Sequence, residues 1–150
     1  MKKFRVWEWI DNTMDYEMDR ILKNPSVIPS ELFNGNDPHL KLTWSTGKKD
    51  KNGREIYEGD IIELLNESGE KIKVICLFGS VDRHLLSGGD TNLCNIVGFY
   101  YVILNDSDKK TFPIVNNYKG VSDYELFEVV GNVFEEFVKD HNFMWKKILK

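Results

Sequence analysis

Four basic side chains, Lys48, Lys49, Lys51 and Arg54, fall inside the stretch TGKKDKNGREIYEGDII, Thr46 to Ile62, and Trp44 stands just ahead of it. Packed that closely, they could form a rim that holds phosphate, with the indole stacking on an unpaired base. Such contacts give salt-sensitive binding without sequence readout. The plainer reading is that Asn52-Gly53 and Gly59-Asp60 are turn chemistry that sets strand register, and that the lysines lie on a solvated loop. A nucleotide-type phosphate loop does not fit Thr46-Gly47-Lys48-Lys49. Leu42 holds the place of the required first glycine, and Lys49 that of the Ser or Thr after the lysine.

Other sets are weaker. Glu58, Asp60 and Glu63 are close enough in sequence to suggest carboxylates around a divalent ion, as in a nuclease, yet Asp60 is accounted for by its turn. Cys76, His84 and Cys94 match none of the common zinc spacings, and Cys76 lies in an apolar run where a small buried thiol is the ordinary outcome. His39 follows Pro38 in a loop, His141 shares the apolar side of the tail, and Ser87-Gly88-Gly89-Asp90 reads as a loop tip. No Ser or Cys sits on a glycine-flanked elbow. No catalytic residue, metal ligand or cofactor is assigned, which points away from an enzyme. Trp7, Trp9, Trp44, Phe99, Tyr100 and Tyr101 read either as core of aromatic-rich strands or as a partner surface.

These residues need a frame. FRVWEWI alternates Phe4 and Val6 with Arg5, Trp7 and Trp9 and reads as a strand ending at Asp11-Asn12. Over residues 11–24, strand and helix compete. Met14, Met18, Ile21 and Leu22 keep helical spacing, with Asp11 or Asn12 as a cap. Asn24 to Pro38, rich in proline and containing Asn34-Gly35, is a connecting loop. LKLTWS, EIY, IIELLN, KIKVICLFG, IVGFYYVIL and TFPIV then read as short strands. Asp82 to Asn95 reads as a polar loop and Asp106-Ser107-Asp108 as a hairpin tip. In KIKVICLFG both faces carry apolar residues, so the second half of that strand should be covered on both sides. LFEVVGNVFEEF reads as the closing strand. Beyond it Phe137, Val138, His141, Met144, Trp145, Ile148 and Leu149 line one side of a C-terminal helix.

Composition bounds the rest. A chain of 150 residues, 41% apolar and 13% aromatic, is about one domain and can bury a core without disulfides. A net charge of -4 argues against a general polyanion binder. The charge is segregated, however, with five acids and no base from Glu8 to Asp19, and five bases against one acid from Lys41 to Arg54. Two cysteines fit a reducing cytoplasm. No apolar stretch is long enough for a membrane span, and the N-terminus lacks the unbroken apolar run of a signal peptide.

Three blocks resemble the YopX family, small proteins encoded mainly by bacteriophages and prophages. They are Phe4-Arg5-Val6-Trp7 with Met14; Thr46-Gly47, Asp50-Lys51-Asn52-Gly53 and Glu55-Ile56-Tyr57-Glu58-Gly59-Asp60-Ile61; and Val129-Val130-Gly131-Asn132-Val133-Phe134-Glu135. Lys48 stands where the family usually has leucine, and the helix after Glu136 is longer than the usual ending. The resemblance implies an SH3-type barrel and a phage context, in a family with no established function, and carries over no catalytic residue. The expectation is a mainly β protein with minor α content, an SH3-like antiparallel barrel over residues 43–136. Residues 1–42 form an N-terminal strand and helix extension with a Pro-rich connection, and residues 137–150 the C-terminal helix. The expected role is a non-enzymatic protein-interaction module in the cytoplasm of a bacterial host, with an unidentified protein partner, no membrane, and self-association through the C-terminal helix. Nucleic-acid binding through Lys48, Lys49, Lys51, Arg54 and Trp44 is the alternative.

Overall fold

The computed structural model describes residues 2–65, 69–87, 90–104, 106–111 and 126–140. In chain order these form β1 (Phe4–Glu8), β2 (Thr13–Asp15), α1 (Met18–Lys23), α2 (Pro29–Phe33), β3 (Leu40–Lys49), β4 (Glu55–Tyr57), β5 (Asp60–Leu65), β6 (Lys71–Ser87), β7 (Asp90–Ile103), β8 (Asp106–Thr111), β9 (Glu128–Asn132) and α3 (Val133–Lys139). One sheet runs β2-β1-β3-β4 and the other β8-β7-β6-β5-β9, with every pairing antiparallel. The protein is therefore mostly β, its curled sheets forming a half-barrel with a helix towards the C-terminal end.

The period of two in β1 sorts its side chains to opposite faces. Phe4 and Val6 pack with Ile21 of α1, Leu32 of α2 and Leu42 of β3. Trp7, on the other face, joins Ile61, Ile75, Leu77 and Val102 of the second sheet and Val133 and Phe134 of α3. Its ring stacks on Phe134 with centroids 5.6 Å apart. A fully buried side chain of this size contributes roughly 1.5–3 kcal/mol. The opposite face of the second sheet buries Ile62, Val74, Cys76 and Tyr101 with Ile56, Phe127 and Val129. The double covering read from KIKVICLFG thus holds through Leu77, and then stops at Phe78, which is 45% exposed.

Several local expectations change. Asp11-Asn12 caps no helix: Asn12 takes a positive φ of 53°, the chain returns as β2 against β1, and α1 starts only at Met18. The proline-rich connection contains α2, because Pro29 occupies a first-turn position, where a missing N–H costs nothing. Asp82 to Asn95 is not a loop: the β6–β7 ladder continues from Gly79↔Gly98 to Ser87↔Asp90. A ladder is made of backbone groups, so polar sequence does not prevent it. Asp106 to Asp108 lies in β8, and Ile103 pairs with Asp106, which moves the tip ahead of the aspartates. Most of TFPIV falls outside the described residues. The last strand ends at Asn132, whose side chain accepts from the Glu135 N–H at 2.9 Å and caps α3. The helix therefore starts at Val133, while His141 and the tail after it lie outside the described residues.

Candidate functional site

The basic stretch is built around an acid. Asp50, buried between exposed lysines, accepts from the N–H groups of Asn52 and Arg54 at 2.9 Å through Oδ1. Its Oδ2 accepts from the Val129 N–H of β9, also at 2.9 Å. Gly53 takes the one positive φ that the turn needs, 79°. Lys51 is pinned twice at the entry to the same strand, its N–H donating to the Phe127 carbonyl at 3.0 Å and its Nζ pairing with Glu128 at 3.0 Å. The register-setting reading of Asn52-Gly53 is thus met by Gly53 and Asp50. Lys48, Lys49 and Arg54 are exposed around this fixed loop.

Gly59-Asp60 is more than a turn. Asp60 Oδ2 accepts from the Tyr57 N–H at 2.8 Å, and Oδ1 meets Arg5 Nη1 at 2.7 Å with both side chains out of solvent. Arg5 also donates from Nε to Thr43 Oγ1 and from Nη2 to the Glu58 carbonyl, each at 3.1 Å, and its guanidinium lies 4.8 Å from the Tyr57 ring centre. Burial pushes the Asp60 carboxyl up and Arg5 opposes that shift. Burial likewise pushes the Cys76 thiol well up, the reverse of what a nucleophile needs. Glu58, Asp60 and Glu63 do not converge, since Asp60 is held by Arg5 and Glu63 pairs with Lys71 at 3.5 Å. Among the described residues no three His, Cys, Asp or Glu side chains gather around a space for a metal ion. The side chains of His84 and Cys94 lie outside those described. His39 is exposed and serves through its backbone, its carbonyl accepting from the Trp9 N–H at 2.9 Å.

Trp44 belongs to a different feature from the basic loop. It stacks on Phe33 at 6.0 Å and meets Phe4 edge-on at 5.6 Å. The Lys2 ammonium also lies against it, 5.1 Å from the indole centre, 5.3 Å from Phe78 and 5.6 Å from Phe99. Phe78 and Phe99 are directly paired in the β6–β7 ladder and touch edge to face at 5.0 Å. Val97, two residues from Phe99 on the same face, is 67% exposed, and Phe33 and Phe78 are each 45% exposed. Beside this patch a depression of about 420 Å3 is lined by Lys2, Lys3, Ser45, Thr46, Gly47, Glu55 and Phe99. Trp7 and Tyr101, by contrast, are core. Sequence reasoning named Trp44 and Phe99 and passed over Lys2, Phe33 and Phe78, since no spacing links residues brought together by tertiary pairing.

The family model described as YopX protein matches residues 3–137. No curated protein matches the sequence.

Proposed function

The chain belongs to the YopX family, and from that premise we propose that it is a non-enzymatic protein-docking module of phage or prophage origin. In this reading the curled sheets are an SH3-like barrel at work in the cytoplasm of a bacterial host. The observation that carries it is an aromatic surface made by exposed Phe33 and Phe78 with half-buried Trp44 and Phe99, continued by exposed Val97. Aromatic side chains of this kind anchor protein interfaces, and an apolar face left in water calls for an occupant. The polar centre of the fold supports the non-enzymatic half of the proposal, because the charges of Arg5 and Asp60 are spent on each other. Among the described residues no helix is long and apolar enough to cross a membrane. The partner is a protein, with a second copy of the chain, joined through the C-terminal helix, as the self-associating form.

The test compares proteins retained from host lysate by the parent and by Val97→Asp, with thermal melting as the fold control. A specific protein held by the parent and lost by a normally melting variant is the expected result. Equal retention by both, or no specific retention by the parent, overturns the reading.

A second reading, nucleic-acid binding, is favoured by the depression that sets Lys2 and Lys3 against Phe99, near exposed Lys48 and Lys49. It requires retention on single-stranded DNA or RNA that weakens steeply with salt and disappears when Lys48, Lys49, Lys51 and Arg54 become Ala. Absence of binding at low salt removes it.

A further inference from the structure

Three aromatic faces around one ammonium make a cation site, and here the cation is the chain's own. We infer that Trp44, Phe78 and Phe99 form a binding site for an alkylammonium side chain of a partner protein, a lysine or its methylated form, and that Lys2 is the internal occupant displaced on binding. The inference rests on the docking reading and names the chemistry that the docking face takes.

The geometry carries it in three steps. Lys2 Nζ lies 5.1, 5.3 and 5.6 Å from the ring centres of Trp44, Phe78 and Phe99, all within the roughly 6 Å over which a ring's negative face attracts a cation. The rings are held rigidly: Trp44 by β3 and its contacts with Phe4 and Phe33, and Phe78 with Phe99 by their cross-strand pairing. The mouth is open, because Lys2 and Phe78 are exposed and Val97 and Phe33 flank the rings as apolar shelves.

The cation is favoured in methylated form. Among the described residues no carboxylate forms an ion pair with Lys2, and the three rings themselves present π faces, which accept an N–H poorly. A quaternary ammonium has no N–H to leave unsatisfied and presents more apolar surface to the rings. Behind them, the half-buried Glu58, whose N–H donates to the Trp44 carbonyl at 2.9 Å, supplies negative charge at longer range and feels the charge of Lys2. Lys2 is joined to β1 through Lys3 alone, whose carbonyl accepts from the Ser45 N–H at 2.8 Å. Such a tethered ligand competes at an effective concentration in the millimolar range, and therefore lowers the apparent affinity of any free cation.

The experiment titrates the full chain and its Lys2→Ala variant, following the Trp44 indole N–H by NMR. The probes are tetramethylammonium chloride against sodium chloride at equal ionic strength, and one short peptide carrying trimethyllysine, lysine or neutral norleucine at a single position. Lys2→Ala is expected to bind in the order trimethyllysine, lysine, norleucine, and the parent to bind the cations about tenfold more weakly. Adding Phe78→Leu, which keeps an apolar side chain at a half-exposed place and removes one of the three rings, should weaken the preference for charge. Norleucine binding as well as trimethyllysine, or no movement of the Trp44 signal in Lys2→Ala, overturns the inference. If Val97→Asp loses its partner while Lys2→Ala ignores cations, docking stands and the cation site falls. Cation binding with a Val97→Asp variant that retains every protein leaves the site standing and removes the docking reading.

Discussion

The Arg5 guanidinium meets the Asp60 carboxylate at 2.7 Å with each side chain 1% exposed, joining β1 to the start of β5 across the interior. Two charges taken out of water are costly, and their mutual attraction with the bonds to Thr43, the Glu58 carbonyl and the Tyr57 N–H offsets that cost. Removing one partner should be far worse than removing both. Asp60→Ala is expected to lose about 3–5 kcal/mol, while Arg5→Met with Asp60→Leu recovers most of it. Urea denaturation of the single and double variants measures the difference, and equal losses would contradict this account.

Asp50 ties the basic loop to β9 through the Val129 N–H, so Asp50→Ala leaves that buried donor and the part-buried N–H groups of Asn52 and Arg54 without their acceptor. The expected loss is about 3 kcal/mol, with faster hydrogen exchange at Val129 and Arg54, two amides that lose their acceptor, than at the rest of β9. Unchanged exchange at those two amides would show that the loop is held by other contacts.

Gly59 takes a φ of +90°, and a Cβ there would lie 3.3 Å from Phe134 and 3.4 Å from Val133. Gly53 takes +79° with nothing within 4 Å. Both alanine variants bear the left-handed backbone cost of about 1–2 kcal/mol, and Gly59→Ala adds overpacking of roughly 1–3 kcal/mol. The ranking, with Gly59→Ala the more damaging, is read from thermal melts.

Burial raises the Glu58 carboxyl above its ordinary value, and Lys41, Arg5 and Lys2 oppose the rise. A carboxyl with a raised folded-state value binds more protons folded than unfolded, so it favours folding at acid pH. That contribution is lost as pH rises through the raised folded-state value. The parent should therefore lose stability relative to Glu58→Gln across this window. Removing Lys2 should move the Glu58 titration further up, as followed by NMR of the carboxyl carbon.

Much of the frame is legible from alternation alone: Phe4 and Val6 against Trp7, Ile75 and Leu77 against Val74 and Cys76. What alternation does not contain is who stands across the gap. Asp60 looks sufficient as a turn residue because its cation sits at Arg5, and Asp50 looks like one more loop polar because its acceptor role is completed at Val129. The aromatic cluster draws on residues 2, 44, 78 and 99, a set defined by β1–β3 and β6–β7 pairing and by no local period. The β6–β7 extension was hidden for another reason, since polar composition suggests a loop while backbone groups pair regardless.

Trp7 leaves the ribosome long before Phe134, yet the two rings stack in the finished molecule. Until β9 and α3 have been made, the inner side of β1 has neither the indole's partner ring nor its helix cover. The earliest strand thus stays unsealed through synthesis of nearly the whole chain, and nascent protein carries a sticky tryptophan that only the final turns of sequence can put away.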